Sequence, residues 1–250
     1  VTEHQNTRVP QFFLTPGGPC PYLPGRVERK VFARLSGTYA QPLSEALTHS
    51  GFRRSQSIAY RPACDGCAAC VSVRILVGQF EPSRTFKRVA RRNDDLVRSE
   101  VVAEATREQF ALLRTYLDSR HAGGGMSDMG LFDYVAMVEE TPVDTQIVEY
   151  RRPGEGGRPG ALVACGPDRR AARRRVDGLQ LLPSRRGCPQ PRHPYDPRPH
   201  PRRQKPRPAH VYLGYWVEGS EKMAYKTRFR PMEALGREGW QRLPEQDRKA

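Results

Sequence analysis

Acidic residues are scarce in this chain: 27 Asp and Glu stand against 42 Lys and Arg, leaving a net charge of +15. That deficit points to a polyanionic partner, with nucleic acid first. No run of 18 apolar residues exists, which excludes a membrane-spanning helix. The opening residues Val1-Thr2-Glu3-His4-Gln5-Asn6 lack a charged-then-apolar leader, so a cytoplasmic location is expected. There is no Ser-His-Asp constellation to support a covalent acyl intermediate. Nor is there a Gly-rich loop to cradle a coenzyme A pyrophosphate, because Gly123-Gly124-Gly125 is isolated. At 250 residues the chain can hold one large domain or two small ones.

Cysteine is also sparse, with six in all, yet three of them fall in Cys64-Asp65-Gly66-Cys67-Ala68-Ala69-Cys70. Thiolates at two-residue intervals on a short loop can converge on one point, which is the geometry of a zinc site or an iron-sulfur cluster. Cys20, in Gly17-Gly18-Pro19-Cys20-Pro21, is the candidate fourth ligand. Disulfides and inert buried thiols are the competing readings. Cys165 ends the apolar run Ala161-Leu162-Val163-Ala164 and reads as a buried thiol.

Periodicity predicts a short helix over 42–50, with Gly51 as its stop, and strands over 57–60 and 71–77 on either side of the cysteine loop. A helix over 83–96 gathers Phe86, Val89, Ala90 and Leu96 on one face and Lys87, Arg88, Arg91 and Arg92 on another. That basic stripe is either a binding surface or an ordinary solvated face. Thr106-Arg107-Glu108-Gln109 has capping-box form and opens a helix to about 120; another follows over 131–140. Residues 144–151 and 161–165 read as a hairpin, and 210–217 as an apolar strand. Helices beside an antiparallel hairpin indicate an α+β fold.

Between Gly166 and Pro208 the composition changes: twelve Arg, ten Pro and one Lys face three Asp, so ten of the fifteen net charges lie there. So many prolines argue against regular helix or sheet in that stretch.

Several stretches together are similar to the aminoacyl-tRNA-protein transferases, and specifically to the bacterial aspartate/glutamate leucyltransferases. They are Tyr22-Leu23-Pro24-Gly25-Arg26, Gly51-Phe52-Arg53-Arg54-Ser55 through Tyr60-Arg61-Pro62-Ala63-Cys64, and Cys67 with Cys70. Phe86 to Asn93 and Tyr212-Leu213-Gly214-Tyr215-Trp216 through Lys222-Met223-Ala224-Tyr225-Lys226 complete the set. The resemblance implies an N-terminal Cys-containing domain over 1–100 and a GNAT-like acyltransferase domain over 101–250. It also implies an activity: leucine passes from leucyl-tRNA to proteins with N-terminal Asp or Glu, marking them for degradation by the N-degron pathway. The arginyl-tRNA-protein transferases are the neighbouring alternative. A zinc or Fe-S RNA-binding module without catalysis is the alternative from another class.

On that resemblance 166–208 replaces expected sheet and helix at equal length, which a shifted reading frame would explain. Gln190 to Pro201 can be encoded so that reading from the second nucleotide gives Ser-Leu-Gly-Thr-Leu-Met-Ile-Leu-Asp-His-Ile. Val176 to Pro183 in the same offset gives Ser-Met-Val-Tyr-Ser-Phe-Phe. Both resemble family sequence, so the chain as written is expected to fold poorly and to be inactive. An Arg-rich RNA-binding insert is the competing account.

Transfer of an ester-activated acyl group to an amine is downhill and needs no cofactor for the chemistry. A zinc ion or Fe-S cluster at Cys20, Cys64, Cys67 and Cys70 would stabilise or regulate. Tyr212, Tyr215 and Tyr225 are candidate donors at the acyl site, with core packing as the competing reading. Lys222, Lys226, Arg228 and Arg230 suit a tRNA acceptor end. Arg88, Arg91 and Arg92, then Arg53 and Arg54, are candidates for the acceptor's carboxylate or for tRNA.

Overall fold

The computed structural model describes residues 10–120, 128–171, 174–177 and 209–244. Its first part alternates short strands with one helix: β1 Phe12–Leu14, β2 Gly18–Pro19, β3 Val27–Glu28, β4 Lys30–Arg34, α1 Ala40–His49, β5 Arg53–Ser55 and β6 Ile58–Pro62. Then come β7 Cys70–Leu76, α2 Arg84–Arg92, β8 Val97–Val102, α3 Arg107–Arg120 and α4 Leu131–Glu139. The remainder is β9 Thr145–Arg151, β10 Leu162–Ala171, β11 Arg174–Asp177, β12 His210–Val217, α5 Glu221–Ala224, β13 Met232–Gly236 and β14 Gly239–Arg242. This is the expected α+β mixture. No helix among the described residues is long and apolar enough to cross a membrane.

Three sheets form. The smallest pairs β2 with β3, and a four-stranded sheet runs β1-β4-β6-β5. The largest has eight strands in the order β14-β13-β7-β12-β11-β10-β9-β8. Within it only β11 and β12 pair in parallel among the described strands. The placement of β7 matters most: it leaves the cysteine loop and inserts between β12 and β13, strands from the far end of the chain. The expected boundary at residue 100 falls inside β8, an edge strand of this same sheet.

The prolines of 166–208 do not forbid pairing throughout. Backbone ladders join Asp168 to Gln146 and Arg169 to Thr145 in β9, and β11 pairs β10 on one side and β12 on the other. The reason is local: after Pro167 the next proline is Pro183, so 168–177 keep their amide donors. The reading-frame expectation over 178–208 lies outside the described residues, as does Cys188.

Three cores hold the layers together. Leu112, Leu113 and Leu117 of α3 and Tyr134 and Val138 of α4 pack on Ile147 and Cys165. The capping box at its N-terminus forms as expected: the Gln109 amide donates to Thr106 Oγ1 at 3.2 Å and the Thr106 amide to Gln109 Oε1 at 3.1 Å. Gln109 is itself buried and donates to Glu149 Oε1 at 2.9 Å, so the cap residue also satisfies a carboxylate in the core. A second core sets Ala40 and Leu47 of α1 on Ala33 and Ala59 of the small sheet. The third anchors α2, where Phe86 stacks on Phe229 at 5.2 Å above Ile75 and Val211. That helix starts where Ser83 Oγ accepts the Phe86 amide at 3.3 Å. It stops at Arg92, short of the expected residue 96, because the Asn93 carboxamide donates to Val89 O at 2.8 Å and closes the last turn.

Candidate functional site

The cysteine loop joins β6 to β7, so Cys64 sits just past one sheet and Cys70 opens the central strand of the other. Cys20 hangs from the β2–β3 connection, closed by its own amide donating to Arg26 O at 2.9 Å. Backbone amides point at two of the sulfurs: Leu23 N donates to Cys20 Sγ and Arg29 N to Cys64 Sγ, each at 3.4 Å. Burial first, and then the charges of Cys20, Cys64 and Cys67, push the Cys70 thiol up to about 11. Thiolates are the soft donors that zinc and Fe-S clusters take, and two of these sulfurs accept backbone amides. Among the described residues, no group of three or more His, Cys, Asp or Glu is disposed to hold a metal ion. Cys165 stands apart in the α3–α4 core, pushed up to about 12 chiefly by burial.

Next to Cys70 lies β12. The register pairs Cys70 with Val217, Ser72 with Tyr215 and Arg74 with Tyr212, and it slips between Tyr212 and Gly214. This bulge turns on Gly214, whose φ of 73° favours glycine. The tyrosines on either side of it differ. The Tyr215 hydroxyl donates to Tyr60 O at 2.8 Å and lies 3.2 Å from Gly51 O, clamping β12 to the small sheet. Burial raises its pKa, with Tyr60 adding to the effect. The Tyr212 hydroxyl accepts from Arg74 Nη1 at 3.3 Å and stands 3.5 Å from His49 Nδ1. Tyr225 lies half-buried beside the third core, with Lys226 Nζ 5.9 Å from its ring centroid.

Sequence reasoning missed the group that holds Tyr212. Arg74 Nε donates to Glu233 Oε2 at 2.6 Å, and its guanidinium lies 4.2 Å from the Trp240 ring. The Trp240 indole donates to His49 O at 2.9 Å, tying α1 to β14. A signal was available: in the alternation Val71, Val73, Ile75, Val77, the opposite face carries Arg74, a charge in the middle of a central strand.

The expected cations divide by burial. On α2, Arg84, Lys87, Arg88, Arg91 and Arg92 are all exposed, as are Lys222 and Arg228. Lys226 is not a surface cation: it is 2% exposed, and its ammonium donates to Tyr215 O. The one-turn helix after α5 rotates it inward while Arg228 turns out. Arg54 is 5% exposed as well; burial lowers its pKa to about 10, and Nη1 donates to Gln56 O. Arg53, its neighbour, is half-buried and lies across Gly214.

Comparison of the sequence with known proteins identifies a family. The model of Arginine-tRNA-protein transferase, N terminus, matches residues 18–88, and that of its C terminus matches 202–236. The aspartate/glutamate leucyltransferase of Parvibaculum lavamentivorans is 50% identical over 257 aligned residues, covering 98% of this chain and 99% of that protein. Those of Sphingopyxis alaskensis and Bradyrhizobium sp. (strain BTAi1) are 51% and 45% identical, across 94% and 100% of this chain and 92% and 98% of the relatives. The chain belongs to the arginine-tRNA-protein transferase family. Within this transferase the N-terminal match spans all four clustered thiols, Arg53 and Arg54, and the C-terminal match spans Tyr212 to Arg228. Far apart in sequence, the two matched segments meet where β7 pairs with β12.

Proposed function

We propose that this transferase moves leucine from leucyl-tRNA to the N-terminal Asp or Glu of acceptor proteins, marking them for degradation. The observation that carries the reading is its likeness, over nearly the whole chain, to relatives named aspartate/glutamate leucyltransferase. In the reaction the α-amine attacks the ester carbonyl, a C–N bond forms, the C–O bond to the ribose breaks, and the amine proton passes to the leaving oxygen. With an ordinary pKa of roughly 7.7 to 8.0, an α-amine has a neutral fraction near pH 7, so placement is the main task.

We assign tRNA contact to the exposed cations of α2, notably Arg88, Arg91 and Arg92, with Lys222 and Arg228. Tyr212 is the favoured donor beside the acyl group, since the Tyr215 proton is already committed to a backbone carbonyl. The C-terminal half is read as GNAT-like. Cys20, Cys64, Cys67 and Cys70 would hold zinc or an Fe-S cluster, which would supply a cross-link between the β2–β3 connection and the start of β7. Residues 166–208 are read as translated out of frame, which accords with their charge.

Labelled leucyl-tRNA and a peptide beginning with Asp test the reading, using the chain as written beside a frame-restored version. Transfer by the restored chain supports leucyl transfer, and loss of transfer in the written chain supports the frame reading. Transfer only from arginyl-tRNA would move the activity to the arginyl alternative. Binding of tRNA by both versions without transfer would leave an RNA-binding module.

A further inference from the structure

Three groups of arginine compete to read the acceptor, and their surroundings separate them. The α2 arginines stand in water, where a guanidinium competes poorly for one carboxylate. Arg54 is shut inside the small sheet. Arg53 is between these extremes. A methyl group added to Gly214 would lie 3.4 Å from Arg53 Cδ and 3.4 Å from Nη1, so the guanidinium rests on bare backbone at the bulge. Among the described residues no carboxylate forms an ion pair with it. The acid in the same neighbourhood, Glu28, is taken by Lys30. Two phenols flank it: burial raises both Tyr22 and Tyr215, Tyr60 adds to the rise, and the Arg53 charge opposes it.

A half-buried guanidinium without a counter-ion is a receptor for one, since its planar fork matches a carboxylate bidentately. The position also suits the chemistry, because the bulge lies between Tyr212 and Tyr215 on β12, where the C-terminal family segment pairs with β7 of the N-terminal one. We propose that Arg53 reads the acceptor's first side chain, clasping the Asp or Glu carboxylate above Gly214. This rests on the leucyl-transfer reading for its ligand class. Gly214 suits this place for two reasons: its φ of 73° favours glycine, and a Cβ there would already touch the Arg53 side chain at 3.4 Å.

Binding of short peptides that differ only in the first residue, Asp or Glu against Asn or Gln, tests the assignment on the chain as written by fluorescence anisotropy. The unmodified chain is expected to prefer the acidic peptides about 10- to 100-fold, the worth of a charge-assisted hydrogen bond. Arg53→Gln should bring the ratio to about one, and Arg53→Lys should keep part of it as a point charge without a fork. Arg53→Lys keeps the charge and the stem, so the assignment stays testable if Arg53→Gln fails to fold: a folded Arg53→Lys that discriminates as fully as the unmodified chain overturns the bidentate clasp. A preference that survives in folded Arg53→Gln, or is absent from the unmodified chain, overturns it. Peptide discrimination by a frame-restored chain that does not transfer leucine would sink the transfer reading and leave Arg53 in place. Undiminished transfer to Asp peptides by the frame-restored chain carrying Arg53→Gln would do the reverse.

Discussion

Replacing Arg74 with Met should be among the most damaging single changes to the large sheet. Arg74 is 7% exposed, and it bonds Glu233 at 2.6 Å and Tyr212 at 3.3 Å while stacking 4.2 Å from Trp240. Met conserves much of the stem volume, so the cavity contribution is small. What remains is a Glu233 carboxylate with an 18% exposed side chain; among the described residues its other ion-pair neighbour is the His210 imidazole, 3.9 Å away and charged only when protonated. Stranding one member of a buried pair costs about 3 to 5 kcal/mol; the residual exposure of Glu233 argues for the lower end, about 3. The lost donor to Tyr212 and the lost ring contact add about 1 kcal/mol each at most. The sum is about 4 kcal/mol. Removing both partners, Arg74→Met with Glu233→Met, leaves no stranded charge and should cost about 1 kcal/mol or less. Urea unfolding followed by tryptophan emission measures both, since Trp240 is a direct reporter of the pair. If the double variant costs as much as the sum of the single changes, the pair is not coupled and the reasoning fails.

Phe229→Ala removes the 1% exposed ring against which α2 packs and should cost about 3 to 5 kcal/mol. A loss below 1 kcal/mol in urea unfolding would mean that α2 is held by something else. Cys165, pushed up to about 12 and 1% exposed, should resist alkylation at pH 8 until the chain unfolds, whereas metal-free Cys64 and Cys67 react. Mass-spectrometric labelling at equal rates would contradict that. Glu108 bonds Arg151 at 2.7 Å, and this holds its pKa below the usual carboxylate value. A depressed folded pKa means the contribution is present above the unfolded carboxylate pKa of roughly 4.3 and disappears as pH falls through the lower folded value. Glu108→Gln should therefore lower the melting temperature at pH 6 and converge with the unmodified chain near pH 3; a constant gap across that range would contradict the assignment.

Local elements were legible because short-range rules govern them. The α3 capping box, the apolar strand His210–Val217 and the basic face of α2 follow from spacing and periodicity over a few residues. The family was legible for a similar reason: its motifs are contiguous runs. The sheet order was not, because a strand's partner depends on which distant apolar face excludes water best, and Cys70–Leu76 finds its neighbours some 140 residues away in β12 and 160 in β13.

For the candidate site the division runs through single residues. By itself the sequence determined that α2 carries a basic stripe and that Tyr212 to Lys226 belongs to a transferase, and it supplied four thiols as candidate ligands. Tertiary structure decided which charges meet solvent. It buried Lys226 and Arg54, paired Arg74 with Glu233, and laid Arg53 on the bare backbone of Gly214. Residue type fixes a charge, but whether that charge is solvated, paired or left open for a substrate depends on the low-dielectric surroundings, and those exist only once distant strands have come together.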